Sequence, residues 1–300
     1  MKITISSTLL SLFFIIGFVG CNSPVEKGSP EYLAEANQWH NKRIESLKKD
    51  SGWLNLVGLF ILKEGENTFG SGNANDFNLD LDIPNKLGTF TLKDSIVTFE
   101  SDTGVKISSD GKEIRTAILQ NDMTGKLTIL EYESLRFFIL KRGKKYALRV
   151  RDLNAPLVKE FKGIDRFPVN EDWKISAKFV PYSTPKLLKI SNIIGSIDIE
   201  ESPGMVSFNY DDKTHTIDAI DAGDKLFLLF ADETNGTETY GAGRFLYCSK
   251  PDSNGNVIID FNKAYNPPCV FTPYATCPLP PPQNHLKLEV TAGEKTYGEH

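Results

Sequence analysis

The residues best suited to chemistry lie late in the chain. Tyr240-Gly241-Ala242-Gly243-Arg244 sets an arginine behind two glycines, Asp260-Phe261-Asn262 follows, and Tyr265-Asn266-Pro267-Pro268-Cys269 leads to Tyr274-Ala275-Thr276-Cys277. Glycine lets backbone come close to a ligand or turn tightly. A guanidinium at the start of the next strand can grip a carboxylate or phosphate with two parallel hydrogen bonds. Arg244, Asp260, Asn262, Tyr265, Asn266, Tyr274 and Thr276 are therefore the candidate ligand-binding residues. The competing reading has Arg244 pinning one strand to its neighbour through a local carboxylate such as Asp260 or Glu238. Prolines at 267, 268, 273, 278 and 280–282 stiffen the segment, and Asn266-Pro267 or Pro267-Pro268 is a candidate cis bond. Such a loop either walls a pocket among its aromatic rings or covers one end of a sheet.

Other chemistries lack their residues. There is no Gly-x-Ser-x-Gly elbow, no His-Glu-x-x-His, no phosphate-binding Gly-x-x-x-x-Gly-Lys and no Gly-x-Gly-x-x-Gly. None of the four histidines, His40, His215, His285 and His300, has a second histidine or a carboxylate at ligand spacing. No Cys-x-x-Cys pair exists, so neither a metal nor a cofactor is expected. A net charge of −5 argues against a nucleic-acid partner. Cys269 and Cys277 are spaced to close a small disulfide loop or to sit as two buried hydrophobes, leaving Cys248 free.

These residues need elements to hold them. Residues 1–20 read as a targeting segment: Lys2, an apolar run from Ile3 to Val19, then Gly20 before Cys21. That is the pattern of a bacterial lipoprotein signal. It predicts cleavage before Cys21, lipidation of its thiol, a membrane partner through that lipid, and a place in the cell envelope, on the periplasm-facing outer membrane. Residues 21–30 form a short polar tether. Over 31–50, Tyr32, Leu33, Ala36, Trp39, Ile44 and Leu47 recur at helical spacing, with Ser29 as cap and Pro30 at the first position.

From Trp53 onward short apolar runs alternate with turn signals, which predicts a mainly β chain in two β-rich halves, 51–153 and 154–300, the first sandwich-like. Arg142-Gly143 marks a hairpin between Arg136–Leu140 and Lys144–Val150. Leu226–Phe230, apolar throughout, reads as a central strand.

The motif series from Tyr240-Gly241-Ala242-Gly243-Arg244 to Tyr274-Ala275-Thr276-Cys277-Pro278 resembles the bacterial family called "domain of unknown function 1684", and the likeness runs upstream to about Ser51. That resemblance implies no chemistry. Glu64–Ser71 followed by Asn75–Leu79 resembles the opening of a forkhead-associated sandwich. Ser71 stands where that family has an arginine, and Leu87-Gly88-Thr89-Phe90 where it has Ser-x-x-His, so this likeness implies a sandwich and not phosphothreonine binding. Three functional readings follow: a module binding a small molecule or glycan near the proline-rich loop, a hydrolase using Asp260 with Arg244 on an anion, or a structural module without a pocket.

Overall fold

The computed structural model describes residues 25–298 except 193, 194 and 196. The targeting segment, Cys21 and His300 lie outside the described residues. No helix of the described residues is long and apolar enough to cross a membrane.

Helix α1 spans Pro30–Lys48, with the Ser29 hydroxyl accepting from the Tyr32 N–H at 3.3 Å. The tether just before it is docked: Lys27 bridges to Asn170, and the Ser29 N–H donates to Glu171. The first half follows with strands β1 (Leu56–Ile61), β2 (Gly65–Gly70), β3 (Phe77–Asn78), β4 (Gly88–Lys93) and β5 (Ile96–Ser101). Then come β6 (Ile107–Ser109), β7 (Lys112–Ile114), β8 (Thr116–Leu119), β9 (Leu130–Tyr132), β10 (Leu135–Arg142) and β11 (Lys145–Asp152). They form a sheet ordered β1-β11-β10-β9-β6-β7 and another ordered β3-β2-β4-β5-β8. Between the sheets lies a core with Phe69, Phe90, Phe99 and Phe137 at its centre. Alternation explains it: Tyr146, Leu148 and Val150 of β11 face this core, and Ala147, Arg149 and Arg151, also buried, lie on the opposite face of the sheet.

A short helix α2 (Pro156–Glu160) lies in the connector. The second half has β12 (Lys174–Ser191), β13 (Ile197–Tyr210), β14 (Lys213–Ala222), β15 (Lys225–Phe230), β16 (Arg244–Ser249) and β17 (Asn256–Asp260), ordered β16-β15-β14-β13-β12-β17 and antiparallel throughout. Strands β12 and β13 run through Pro181 and Pro203, and the pairing shifts from Pro181↔Gly204 to Lys186↔Ser202. A bulge tolerates residues that cannot join the ladder. One face of this sheet packs against the tail residues Leu286, Leu288, Val290 and Ala292. The other carries Leu188, Ile190, Ile220, Phe227, Leu229 and Phe245 and turns toward the first half.

Leu286–Val290, apolar at alternate positions and so readable in the sequence as a strand, forms none. The Arg244 guanidinium takes the carbonyls of Val290 and Ala292, at 2.9 and 2.5 Å, so these groups have no ladder to join. The proline-rich loop is trans throughout. Cys269 and Cys277 are joined by a disulfide with Cα atoms 6.1 Å apart. The loop docks between the halves: Val270 and Phe271 pack on Leu47, Leu54 and Phe161, and Cys269, Ala275 and Cys277 pack on Leu56 and Trp53.

Candidate functional site

Arg244 is not a ligand-binding group. Its side chain is fully buried, and Nη2 donates to Asp232 at 2.8 Å. The other Asp232 oxygen accepts from the Thr234 N–H and hydroxyl and from the Val290 N–H. The partner is Asp232, twelve residues upstream of Arg244, and neither Asp260 nor Glu238. Gly243 is required for packing rather than for a ligand: it sits at φ +87°, and a Cβ there would lie 2.5 Å from Pro280 and 2.6 Å from the Phe230 carbonyl. The motif that looked most like chemistry staples the tail to the sheet.

Asp260 and Asn262 are likewise committed inside the protein. Asp260 Oδ1 accepts from the Tyr32 hydroxyl at 2.7 Å, and Oδ2 faces the Lys263 ammonium at 3.2 Å. Asn262 bonds both the N–H and the carbonyl of Asn170 and donates to the Tyr32 oxygen. They fasten α1 and the connector to the end of β17, and the hydrolase reading built on Asp260 with Arg244 loses both its groups. Asn266 is fully buried, donating through its N–H to Glu294 at 2.7 Å and through its amide to the Lys295 carbonyl at 2.6 Å. With both sulfurs in the disulfide, Cys269 and Cys277 offer no thiolate, and His285 is exposed on the surface.

Tyr265 and Thr276 reach a cavity of about 600 Å³ between the halves, and Tyr274 stands beside it. Its aromatic walls are Trp39 from α1, Trp53, and Phe227, Phe245, Tyr247 and Tyr265 around the second sheet. Lys42, Arg43, Arg142 and Arg149 line it, and among the described residues no carboxylate does. These cations differ in their commitments. Arg142 is paired with Asp122 at 2.6 Å. Arg43 donates to the buried Glu294 carboxylate at 3.3 Å while its guanidinium lies 4.7 Å from the Tyr265 ring centre. Lys42 is exposed.

Arg149 is the unusual one. It is 4 % exposed and, among the described residues, has no carboxylate at ion-pairing distance. Nη2 makes only long hydrogen bonds, 3.3 Å to the Thr276 hydroxyl and 3.5 Å to the Tyr274 carbonyl, and Nε has no partner. Burial, with Arg151 and Arg142 nearby, pushes its pKa down to about 9. Trp53 stands between Arg149 and Arg151, whose guanidinium carbons lie 5.7 and 5.8 Å from its ring centre. Arg151 differs in being bonded, to the Gly52 carbonyl and the Asn55 side chain.

Of the residues expected at a site, the structure brings Tyr265 and Thr276 into this cavity and Tyr274 to its edge; Arg244, Asp260, Asn262 and Asn266 go to structural networks. The cationic residues came from outside the motif series. Their one legible trace is Arg149-Val150-Arg151, two charges on the same face of a strand whose other face is apolar.

The fold and cleft define a two-part β protein whose halves enclose a cationic, aromatic cavity. Within that class, the sequence profile of the family described as "Protein of unknown function (DUF1684)" matches residues 159–295 of the chain. An uncharacterized protein of Haloarcula marismortui, known from a solution NMR structure, is 30% identical, with 48% of this chain and 82% of that one covered and a TM-score of 0.40. No curated protein matches. The family match contains the cavity's aromatic residues from Phe227 to Tyr265, and all four of its cations lie upstream of it.

Proposed function

We propose that this chain is a lipid-anchored cell-envelope protein that binds a small ligand bearing an anionic group in the cavity between its halves. The observation carrying this reading is Arg149, a charge buried in a cavity wall with no carboxylate of the described residues at ion-pairing distance. Leaving an ion desolvated and unpaired is costly, and the cost is recovered when an anion fills the space in front of it. Trp53 and Tyr265 supply apolar faces beside it, so an acid with an apolar body fits better than a neutral glycan, which would leave Arg149 uncompensated. Arg244, sealed in its own ion pair, supports a structural role at that place only.

Calorimetric titration of the purified mature protein with phenylacetate and with phenylacetamide tests the reading. The acid should bind, the neutral amide should bind at least tenfold more weakly, and Arg149→Met should erase the difference. Equal binding of the two would overturn it. Anchoring rests on Gly20-Cys21 after the apolar run. Metabolic labelling with a fatty acid should mark the wild type and leave Cys21→Ala unmarked; equal labelling would refute lipidation at Cys21.

A further inference from the structure

The cavity at Arg149 continues past its own walls. Arg142, Phe227, Thr276 and Pro278 also line a second cavity of about 670 Å³, so the two form one elongated cleft. The second part differs in character. Its floor is Ile190, Ile220 and Leu229, all buried in the sheet face turned toward the first half. Ile190 of that floor pairs with Asp198, so the two share the face turned to the cavity. An apolar floor of this kind accepts the apolar part of a ligand. Charges of both signs line the groove: Lys141 and Arg142 on β10, Asp122, Asp221, and on β13 Asp198 and Glu200, which occupy alternate positions of one face. Among the described residues neither Asp198 nor Glu200 has an ion-pair partner at salt-bridge distance, whereas Asp122 is matched by Arg142 and Asp221 by Lys250, and the Lys141 ammonium lies over the Tyr146 ring.

We infer that the ligand is a single-headed anionic amphiphile: one carboxylate or phosphate monoester against Arg149, and an unbranched apolar chain crossing Phe227 onto Ile190, Ile220 and Leu229. The inference rests on the anion-binding reading above and adds the chain. Each end of the cleft selects. Arg149 requires a charge at the head. At the tail Asp198 and Glu200 outnumber Lys141, so a second negative charge there is disfavoured and dianions of the same length bind more weakly.

The test titrates the mature protein with butanoate, hexanoate, octanoate, octyl phosphate, octanol and octanedioate. Affinity should rise about fourfold per methylene from butanoate to octanoate, because each methylene leaves water for the apolar floor. Octanedioate should bind at least tenfold more weakly than octanoate, and Asp198→Asn/Glu200→Gln together should recover most of that loss. Ala222→Trp, which fills the second cavity from its edge, should flatten the chain-length dependence while leaving the phenylacetate affinity unchanged. The tighter of octanoate and octyl phosphate identifies the head. Carboxylates binding with no dependence on chain length, or octanedioate binding as well as octanoate, would overturn the amphiphile and leave anion binding at Arg149 standing. Octanol binding as tightly as octanoate would instead overturn the anion reading itself.

Discussion

Two buried arginines carry opposite energetic signs in this molecule. Arg244 has Asp232 at 2.8 Å and backbone carbonyls around it, and removing it leaves a fully buried carboxylate without its cation. Arg244→Met should therefore cost about 3–5 kcal/mol in chemical denaturation, and a loss under about 1 kcal/mol would show the pair to be expendable. Arg149 has no such partner. Its folded pKa of about 9 lies below its unfolded value, so the folded state holds fewer protons than the unfolded chain between the two. Its charge therefore destabilises the fold at every pH below about 9, and the deficit shrinks as pH climbs through that value. Arg149→Met keeps the stem and removes the charge. It should raise the ligand-free melting temperature at pH 7, by an amount equivalent to at least about 1 kcal/mol, while losing phenylacetate. A lower melting temperature would mean that its two long hydrogen bonds outweigh the desolvation of its charge. Such a trade of stability for a receptive group is expected of a binding site and of no structural staple.

Among the elements, those with strong periodicity were legible and those shaped by distant partners were not. Helix α1 follows from Ser29, Pro30 and the apolar spacing to Leu47, and it ends within a residue of where the pattern does. Strand β10 and the hairpin at Gly143 likewise follow from local chemistry. Leu286–Val290 has the composition of a strand, yet its last carbonyl answers to Arg244, more than forty positions earlier, and the Leu288 carbonyl to the Glu233 N–H, and no local pattern carries that. Arg149 was missed for a related reason: period-two alternation says that Arg149 and Arg151 share a face, but not whether that face meets water or the other half. The proline-rich loop was read either as pocket wall or as cover, and its residues divide between the two. Tyr265 and Thr276 line the cavity; Val270, Phe271 and Ala275 are buried packing. The disulfide at its centre predicts one free thiol, Cys248, in the denatured and unreduced mature protein, and three would exclude it. In the native protein Cys248 is buried and burial raises its pKa to about 11, so iodoacetamide at pH 8 should leave it unmodified.

At the scale of the whole molecule, the question is whether the halves fold as one. Each has its own core, the first around Phe69, Phe90 and Phe137, the second around Phe208, Phe230 and Phe261. By that criterion they could unfold apart. What joins them is not a strand pairing but the loop and the helix wedged between. Phe271 and Val270 bury against Leu47 of α1, Leu54 and Phe161, and Cys269, Ala275 and Cys277 bury against Trp53 and Leu56 of β1. Helix α1 is itself tied to the second half by the buried Tyr32–Asp260 hydrogen bond. A joint made of such apolar clusters leaves neither half able to lose its fold without exposing them, so calorimetry should show a single transition. The cleft is built across the same joint, its cations from one side and most of its aromatic rings from the other. A ligand held there at 100 times its dissociation constant should add about 2.7 kcal/mol and move that one transition upward as a unit. Two resolved transitions, with only one of them shifted by ligand, would show that the joint is loose and that the cavity belongs to a single half.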